Sequence, residues 1–253
     1  LTPEAIVVIN MDDPFSATVD DVCRRQGVHR WRFSARMPHG DPDHLELFWR
    51  DIHYTANGLR GVLQTPTGPL SLSAPLLGDF NATNLAIAVA LARSLEVSDS
   101  VIQEVSAQAQ VRGRMERIPN DLGALILVDY AHSPDALERA LKALRPHCEG
   151  RLWCLFGCGG DRDPHKRAAM GEASTLADGV ILTTDNPRYE DPIEIASQAL
   201  VGIERCGYAL SPTPRAGAVR MELDRARAIV EAVSVLRPGD LLLIAGKGHE
   251  TYQ

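Results

Sequence analysis

The chain has 253 residues, 45% of them hydrophobic but only 5% aromatic, and a formal net charge of -7 at pH 7. That acidic balance excludes non-specific binders of nucleic acid or anionic membrane, which need a basic face. The length exceeds a usual domain of roughly 100 to 200 residues, so two modest domains are expected, packed from Leu, Val, Ile and Ala.

The sequence opens abruptly with Leu1-Thr2-Pro3-Glu4 before an apolar, strand-like run at Ile6 to Ile9, a start expected of a truncated product. Further apolar runs at Leu45 to Phe48 and Val62 to Leu63 are separated by turn clusters such as Gly40-Asp41-Pro42-Asp43. Thr65-Pro66-Thr67-Gly68-Pro69 reads as a loop between two short strands. An Ala- and Leu-rich helix is predicted from Leu85 to Leu95, with Asn81, Thr83 or Asn84 available to cap it, and a shorter helix from about Ser98 to Gln108. A domain boundary is placed near Gln110, giving domains 1–110 and 111–253.

Beyond that boundary the pattern becomes regular. Apolar strands at Ala124 to Val128, Leu152 to Phe156, Val180 to Leu182 and Leu241 to Ala245 alternate with helices starting near Ser133, Pro164, Pro192 and Glu222. A shorter strand is expected at Tyr208 to Leu210. Such alternation predicts an α/β fold with a mostly parallel sheet covered on both faces. Ser133-Pro134-Asp135 and Asp191-Pro192 carry the expected helix-start chemistry. The five cysteines, Cys23, Cys148, Cys154, Cys158 and Cys206, lack paired C-x-x-C spacing and read as free thiols of a reducing, cytoplasmic compartment. No run approaches the ~20 apolar residues of a membrane span.

Ligands of open α/β sheets bind beyond the carboxyl ends of the strands. Four segments there are unusual: Asp129-Tyr130-Ala131-His132, Gly157-Cys158-Gly159-Gly160-Asp161-Arg162, Asp185-Asn186-Pro187-Arg188 and Gly246-Lys247-Gly248-His249-Glu250. Each alone reads as an ordinary turn. If the strands are parallel, however, all four share one rim. The Gly157 segment fails as a dinucleotide fingerprint because Arg162 stands where the third glycine belongs. It offers instead backbone N–H groups at a helix start with Arg162, Lys166 and Arg167, a cradle suited to an anion. The phosphate-gripping pattern G-x-x-x-x-G-K followed by Ser or Thr does not occur.

In this order, and together with Pro75 to Asn84 and Gly113-Arg114-Met115-Glu116-Arg117, these segments resemble the Mur ligases over almost the whole chain. The resemblance implies the end of an α/β central ATPase domain at 1–110, followed at 111–253 by the Rossmann-like, mostly parallel, acceptor-binding carboxy-terminal domain. It implies an ATP-dependent ligase that adds meso-diaminopimelate to UDP-N-acetylmuramoyl-L-Ala-D-Glu in peptidoglycan synthesis through an acyl phosphate. ATP and Mg2+ would be held mainly by an amino-terminal part lying outside this sequence, so the fragment alone is expected to be inactive. A monomer is expected, with no nucleic-acid or membrane partner.

By residue, the resemblance places Arg162, Asp185, Asn186, Pro187, Arg188, Gly246 and Glu250 at the amino acid and Asn84, Arg114 and Asp129 at ATP. In the family, this Asp-Asn-Pro-Arg tetrad resembles the version selecting meso-diaminopimelate, whereas lysine-adding relatives lack the arginine. A guanidinium can grip the second, distal carboxylate that lysine does not have. The residues also allow plainer roles: a surface ion pair of Arg188 with Glu190 or Asp191, a helix-start carboxylate for Glu250, a helix cap for Asn84, a domain-linking salt bridge for Arg114 and a strand-end turn for Asp129. Tyr130 reads as packing; His132 either contacts ATP or orders its loop. No general base and no metal ligand is assigned. A lysine-adding relative or a non-catalytic amino-acid-binding piece is the alternative.

Overall fold

The computed structural model describes residues 5–35, 45–55 and 57–250. The predicted turn at Gly40 to Asp43 and the opening Leu1 to Glu4 lie outside these. The chain divides into two units, Leu1–Gln110 and Val111–Gln253.

The first unit is built on a five-stranded sheet in the order β1-β2-β3-β4-β5. Its strands are β1 (Ile6–Asn10), β2 (His29–Ser34), β3 (Leu47–Thr55), β4 (Gly58–Thr65) and β5 (Gly68–Ala74). β1, β2 and β3 run parallel, while β3, β4 and β5 pair antiparallel, with Thr65 opposite Gly68 at the predicted loop. Helix α1 (Ser16–Arg25) connects β1 to β2, and neither α1 nor β2 is visible in the hydrophobic pattern. The reason is physical. α1 buries only Ser16 and Cys23, and β2 interleaves Arg30 and Arg32, which pair with Asp20 and Glu46.

Helix α2 (Asp79–Ser94) begins six residues before the predicted Leu85, because Gly78, at φ 89°, turns the chain into the helix without a side-chain cap. Asn81 and Asn84 are therefore interior helix residues rather than caps. The Asn81 amide donates to the Leu77 carbonyl at 2.7 Å, and the Asn84 amide to Asn81 Oδ1 at 3.2 Å. Asparagine and threonine disfavour helix interiors, which is why this turn looks like a loop in the sequence. The apolar face of α2, with Ala82, Leu85, Ala86, Val89 and Ala90, packs on Phe33, Leu47, Trp49, Leu59 and Leu63 of the sheet. α3 (Asp99–Ala107) follows from Ser98 as expected. Arg93, near the end of α2, is buried and donates to Asp99 at 2.8 Å, to the Gly68 carbonyl at 2.7 Å and to Thr65 Oγ1, tying the β4–β5 turn to the helix pair.

The second unit is a seven-stranded sheet in the order β10-β11-β9-β8-β12-β7-β6. Its strands are β6 (Glu116–Ile118), β7 (Leu125–Asp129), β8 (Leu152–Phe156), β9 (Gly179–Leu182), β10 (Ala209–Leu210), β11 (Ala218–Met221) and β12 (Leu241–Ala245). All pairs are parallel except the edge pair β6–β7. β8, β9 and β12 are buried throughout, as continuous Leu, Ile and Val runs require.

The helices are α4 (Pro134–Leu144), α5 (His165–Ser174), α6 (Pro192–Arg205) and α7 (Arg225–Ser234). Ser133, Asp191 and Asp224 cap α4, α6 and α7 by accepting from backbone N–H groups; α7 thus starts at Arg225, three residues after the predicted Glu222. The right-handed crossover rule for parallel strands sets α4 and α5, which pack together, on one face and α7, which follows β11 and packs on β8, β9 and β12, on the other. On that second face Ala228 and Ala232 of α7 pack with Ile126, Trp153, Leu155, Ile181, Leu242 and Ile244.

α5 and α6 approach through two glycines. A Cβ on Gly202 would lie 1.9 Å from the Ala168 carbonyl oxygen, and one on Gly171 2.0 Å from that of Ala199. We expect Gly202→Ala to destabilise the second unit by about 1–3 kcal/mol despite alanine's better helix propensity, because backbone must shift to admit the methyl group. Denaturant titration of the variant should show a lowered midpoint; an unchanged or raised midpoint would contradict this close approach.

Candidate functional site

Parallel alignment of β7, β12, β8 and β9 brings the four unusual segments to one rim, where they enclose a cavity of about 590 Å³. Tyr130 and His132 line it from the β7 segment; Gly157, Cys158, Gly159 and Arg162 follow β8. Asp185, Asn186 and Arg188 follow β9, and Gly246 and Glu250 follow β12. Lys166 and Arg167 reach it from α5. Of the residues expected at the amino acid, Arg162, Asp185, Asn186, Arg188, Gly246 and Glu250 line the cavity, and Pro187 is not among its lining residues. The Pro187 carbonyl oxygen lies 1.9 Å from where a Gly160 Cβ would be, so no larger residue fits at 160.

Arg188 is the exposed cation of this wall. It sits at φ 53° and donates from Nη1 to the Gly160 carbonyl at 2.6 Å, leaving the rest of its guanidinium fork without a protein partner among the described residues. Gly159 leaves the space it occupies, since a Cβ there would be 3.1 Å from Nη1. The ion pair considered for Arg188 does not form: Glu190 is taken by Arg167, and Asp191 caps α6.

That use of Glu190 also corrects the anion cradle expected at the Gly157 loop. Gly160 N–H donates to the Asn186 carbonyl at 2.8 Å and Asp161 N–H to Glu190 at 2.5 Å, so these backbone donors are spent on the neighbouring loop. Arg167 is buried in its pair with Glu190, whose carboxyl it holds down at about 2. Arg162 and Lys166 remain as exposed cations.

The acidic side is equally ordered. Glu250 accepts from the Asn186 amide at 3.1 Å and from the Tyr130 hydroxyl at 3.4 Å, facing the cavity rather than a helix start. Lys247, almost fully buried, donates to the other end of the same Asn186 side chain at 3.0 Å, and burial pushes its pKa down. Gly246, at φ 109°, lets the chain pass within 3.2 Å (Cβ position to Oδ2) of Asp185, a conformation closed to other residues. Arg225, from the start of α7, lies beneath: it donates to the carbonyls of Thr184 at 3.1 Å and Ala245 at 2.9 Å, tying together the ends of β9 and β12 across β8. Burial lowers its pKa, and Asp185 opposes that.

Around Tyr130 a second cluster forms. The Arg114 guanidinium lies 4.7 Å from the ring centroid, His132 packs edge-on at 4.7 Å and His249 lies at 5.6 Å. Tyr130 is thus a wall of the cavity rather than mere packing. His132 Nδ1 lies 2.8 Å from the Tyr130 carbonyl, which orders its loop. Asp129 is buried and accepts from Met115 N–H at 2.9 Å and Ala131 N–H at 2.8 Å, the strand-end turn its position allowed; burial raises its pKa. Asn84 is exposed on α2 of the first unit.

Neither Arg225 nor Lys247 is legible in the sequence as a site residue. Arg225 acts from a helix that follows β11, and nothing in its pattern distinguishes it from a first-turn surface arginine. Lys247 stands inside a recognised segment, but its burial depends on the neighbouring strand end. Among the described residues no cluster of three or more His, Cys, Asp or Glu could hold a metal ion, and no helix is long and apolar enough to cross a membrane.

The comparisons with known proteins fall on these two units. The family described as Mur ligase, glutamate ligase domain matches residues 113–248, and the Mur ligase middle domain matches residues 1–92. The UDP-N-acetylmuramoyl-L-alanyl-D-glutamate--2,6-diaminopimelate ligase of Parasynechococcus marenigrum (strain WH8102) is 43% identical over 254 residues, covering 97% of this chain and 47% of its own length. The protein of that name from Vibrio vulnificus (strain YJ016) is 44% identical over 249 residues, covering 97% and 47%. This chain therefore spans about half the length of the curated relatives it matches. A solved ligase of the same name aligns with a TM-score of 0.64 at 34% identity, over 98% of this chain and 49% of that one. Folylpolyglutamate synthase of Mycobacterium tuberculosis, complexed with ADP, shares the fold at 20% identity with a TM-score of 0.69, over 95% and 52%. With both units matched by its domains and identity above 40% across nearly the full chain, this protein belongs to the Mur ligase family.

Proposed function

We propose that residues 111–253 hold the incoming amino acid of a ligase that joins meso-diaminopimelate to the D-glutamate of UDP-N-acetylmuramoyl-L-Ala-D-Glu, and that residues 1–110 are the end of its ATP-binding domain. The observation that carries this reading is the mixture of charge in one cavity. Exposed Arg162, Lys166 and Arg188 line the same cavity as Asp185 and Glu250. A ligand with two carboxylates and two ammonium groups needs both signs, and relatives above 40% identity bear the name of the diaminopimelate ligase.

In this reading Arg188 grips the distal carboxylate with the free part of its fork, since charge-assisted pairing to arginine is bidentate and directional. Glu250, braced by Asn186 and Tyr130, binds an ammonium group. Arg162 and the backbone at Gly246 help hold the amino acid, and Asp185, Asn186 and Pro187 shape the wall. Lysine would leave Arg188 desolvated without a partner, so the site penalises the wrong ligand as well as rewarding the right one.

The reaction of the whole enzyme is a two-step amide synthesis. ATP phosphorylates the D-glutamate side-chain carboxylate; the amine nitrogen attacks that carbonyl carbon, the tetrahedral intermediate expels phosphate by breaking the C–O bond, and the nitrogen gives up a proton. What this chain contributes is orientation of the amine and exclusion of water. On the ATP side we assign Asn84, Arg114 and Asp129 as contacts, Asp129 with its carboxylate already engaged by two backbone N–H groups. Mg2+, like most of the grip on ATP, is assigned mainly to the rest of the enzyme. We assign the protein to the cytoplasm as a monomer.

Calorimetric titration of the chain with meso-diaminopimelate and L-lysine tests the assignment. Arg188→Ala should weaken meso-diaminopimelate by about 1.5–3 kcal/mol and leave lysine nearly unchanged. Equal affinities for the two ligands, insensitive to Arg188, would remove the basis for this acceptor. Glu250→Gln should instead weaken both ligands together by roughly 1–3 kcal/mol, because both carry the ammonium group it binds. Loss confined to one ligand would reassign Glu250.

A further inference from the structure

Two loops carry the exposed arginines of the cavity, and an ion pair between buried Arg167 and half-buried Glu190 locks one to the other. Arg167 of α5 is 2% exposed and donates from Nη2 and Nη1 to the two carboxylate oxygens of Glu190, at 2.7 and 2.8 Å. The same guanidinium donates to Gln198 Oε1 of α6 at 2.9 Å and to the Gly159 carbonyl at 3.3 Å. Glu190 in turn accepts from Asp161 N–H at 2.5 Å. Two helices and both loops therefore meet at one ion pair.

Backbone conformation gives this meeting its consequence. Asp161 at φ 50° and Arg188 at φ 53° are non-glycine residues in the left-handed region, next to Arg162 and within Arg188 itself. L-residues adopt that region at a cost and stay there only when their surroundings fix them. Glu190 holds Asp161 directly and lies two residues beyond Arg188. The pair is not simply a stability device: among the described residues the buried Arg167 Nε–H has no partner, a penalty that an apolar side chain would not incur.

We propose that Arg167 and Glu190 are positioning residues that set the acceptor selectivity of the cavity, by holding the two strained loops so that Arg162 and Arg188 face one ligand at a fixed spacing. This rests on the acceptor-site reading above. The low pKa of Glu190 keeps the clasp ionised: its carboxyl contributes stability above the ordinary carboxylate value, lost only as pH falls toward about 2. Selectivity set by the clasp is accordingly flat from mildly acidic to neutral pH.

The test compares the 253-residue chain with Glu190→Gln and Arg167→Lys, titrating each with meso-diaminopimelate and with L-lysine and recording its thermal midpoint. Arg167→Lys keeps the buried charge and loses only the fork, which guards against an unfolded variant. We expect the ratio of the two affinities to fall about tenfold or more in both variants, because a small misplacement of a gripping side chain is costly. A merely structural role would lower the thermal midpoint and weaken both ligands in proportion, leaving the ratio intact. A folded variant that keeps the wild-type ratio overturns the clasp while the acceptor reading stands. A wild-type chain with no preference for meso-diaminopimelate overturns both. Hydrogen exchange adds a readout independent of ligand: segment 157–162 should exchange faster in Glu190→Gln while β8 does not, and unchanged exchange there also rejects the clasp.

Discussion

Everything at the candidate site depends on the parallel pairing of four central strands. Because β7, β12, β8 and β9 all point the same way, the polar segments that follow them must emerge together, although more than a hundred residues separate Asp129 from Glu250 in the chain. The strands can be parallel only if helices cover both faces, and continuous burial of β8, β9 and β12 is the energetic form of that requirement. The hydrophobic core thus does more than stabilise the unit. It fixes the spacing of the charged rim.

The rim itself is stabilised by charges that face inward as well as those that face out. Arg225 and Lys247 are nearly buried cations beneath the cavity, with Asp185 and Asn186 between them and the open side. Neither is free to bind a ligand; each is spent on carbonyl or amide oxygens that hold strand ends and side chains in place. Glu190 and Arg167 play the corresponding part at the opposite wall. Under the proposed function, the groups that would touch an amino acid are Arg162, Arg188, Asp185 and Glu250, and each rests on one of these inner contacts or on a glycine that leaves it room. Preorganisation of this kind lets a site discriminate by geometry without paying to order itself on binding.

Within the first unit the same logic serves a different end. α2 lays a continuous apolar stripe on the mixed sheet, while Arg93 anchors the far end of the helix to the β4–β5 turn and to α3. The unit is matched by the Mur ligase middle domain over residues 1–92, and the phosphate-gripping loop pattern is absent from this sequence. The work proposed for the present chain is that of receiving an amino acid.

How much of this was legible in the sequence follows from what local chemistry can encode. Long apolar runs, proline-led helix starts with Ser133 and Asp191 as caps, and glycine-rich turns are local signals, and strands β7, β8, β9 and β12, helices α4 and α6, and the four post-strand segments were read from them. Elements whose faces are charged or exposed gave no such signal: α1, β2 and β6 escaped because pairing partners, not periodicity, decide them, and β11 escaped because its buried Ala218 and Val219 make too short an apolar run. The polar first turn of α2 was taken for a cap region because only the folded chain shows Asn81 satisfied by the Leu77 carbonyl. Charge alone could not say which carboxylate each arginine meets. The sequence offered Glu190 to Arg188, and tertiary packing gave it to Arg167, since burial of α5 against α6 brings that guanidinium to the loop and leaves Arg188 facing the cavity. Residue types and strand order were determined by the chain itself; which charges are consumed in holding the site and which remain to bind was decided only by the three-dimensional contacts.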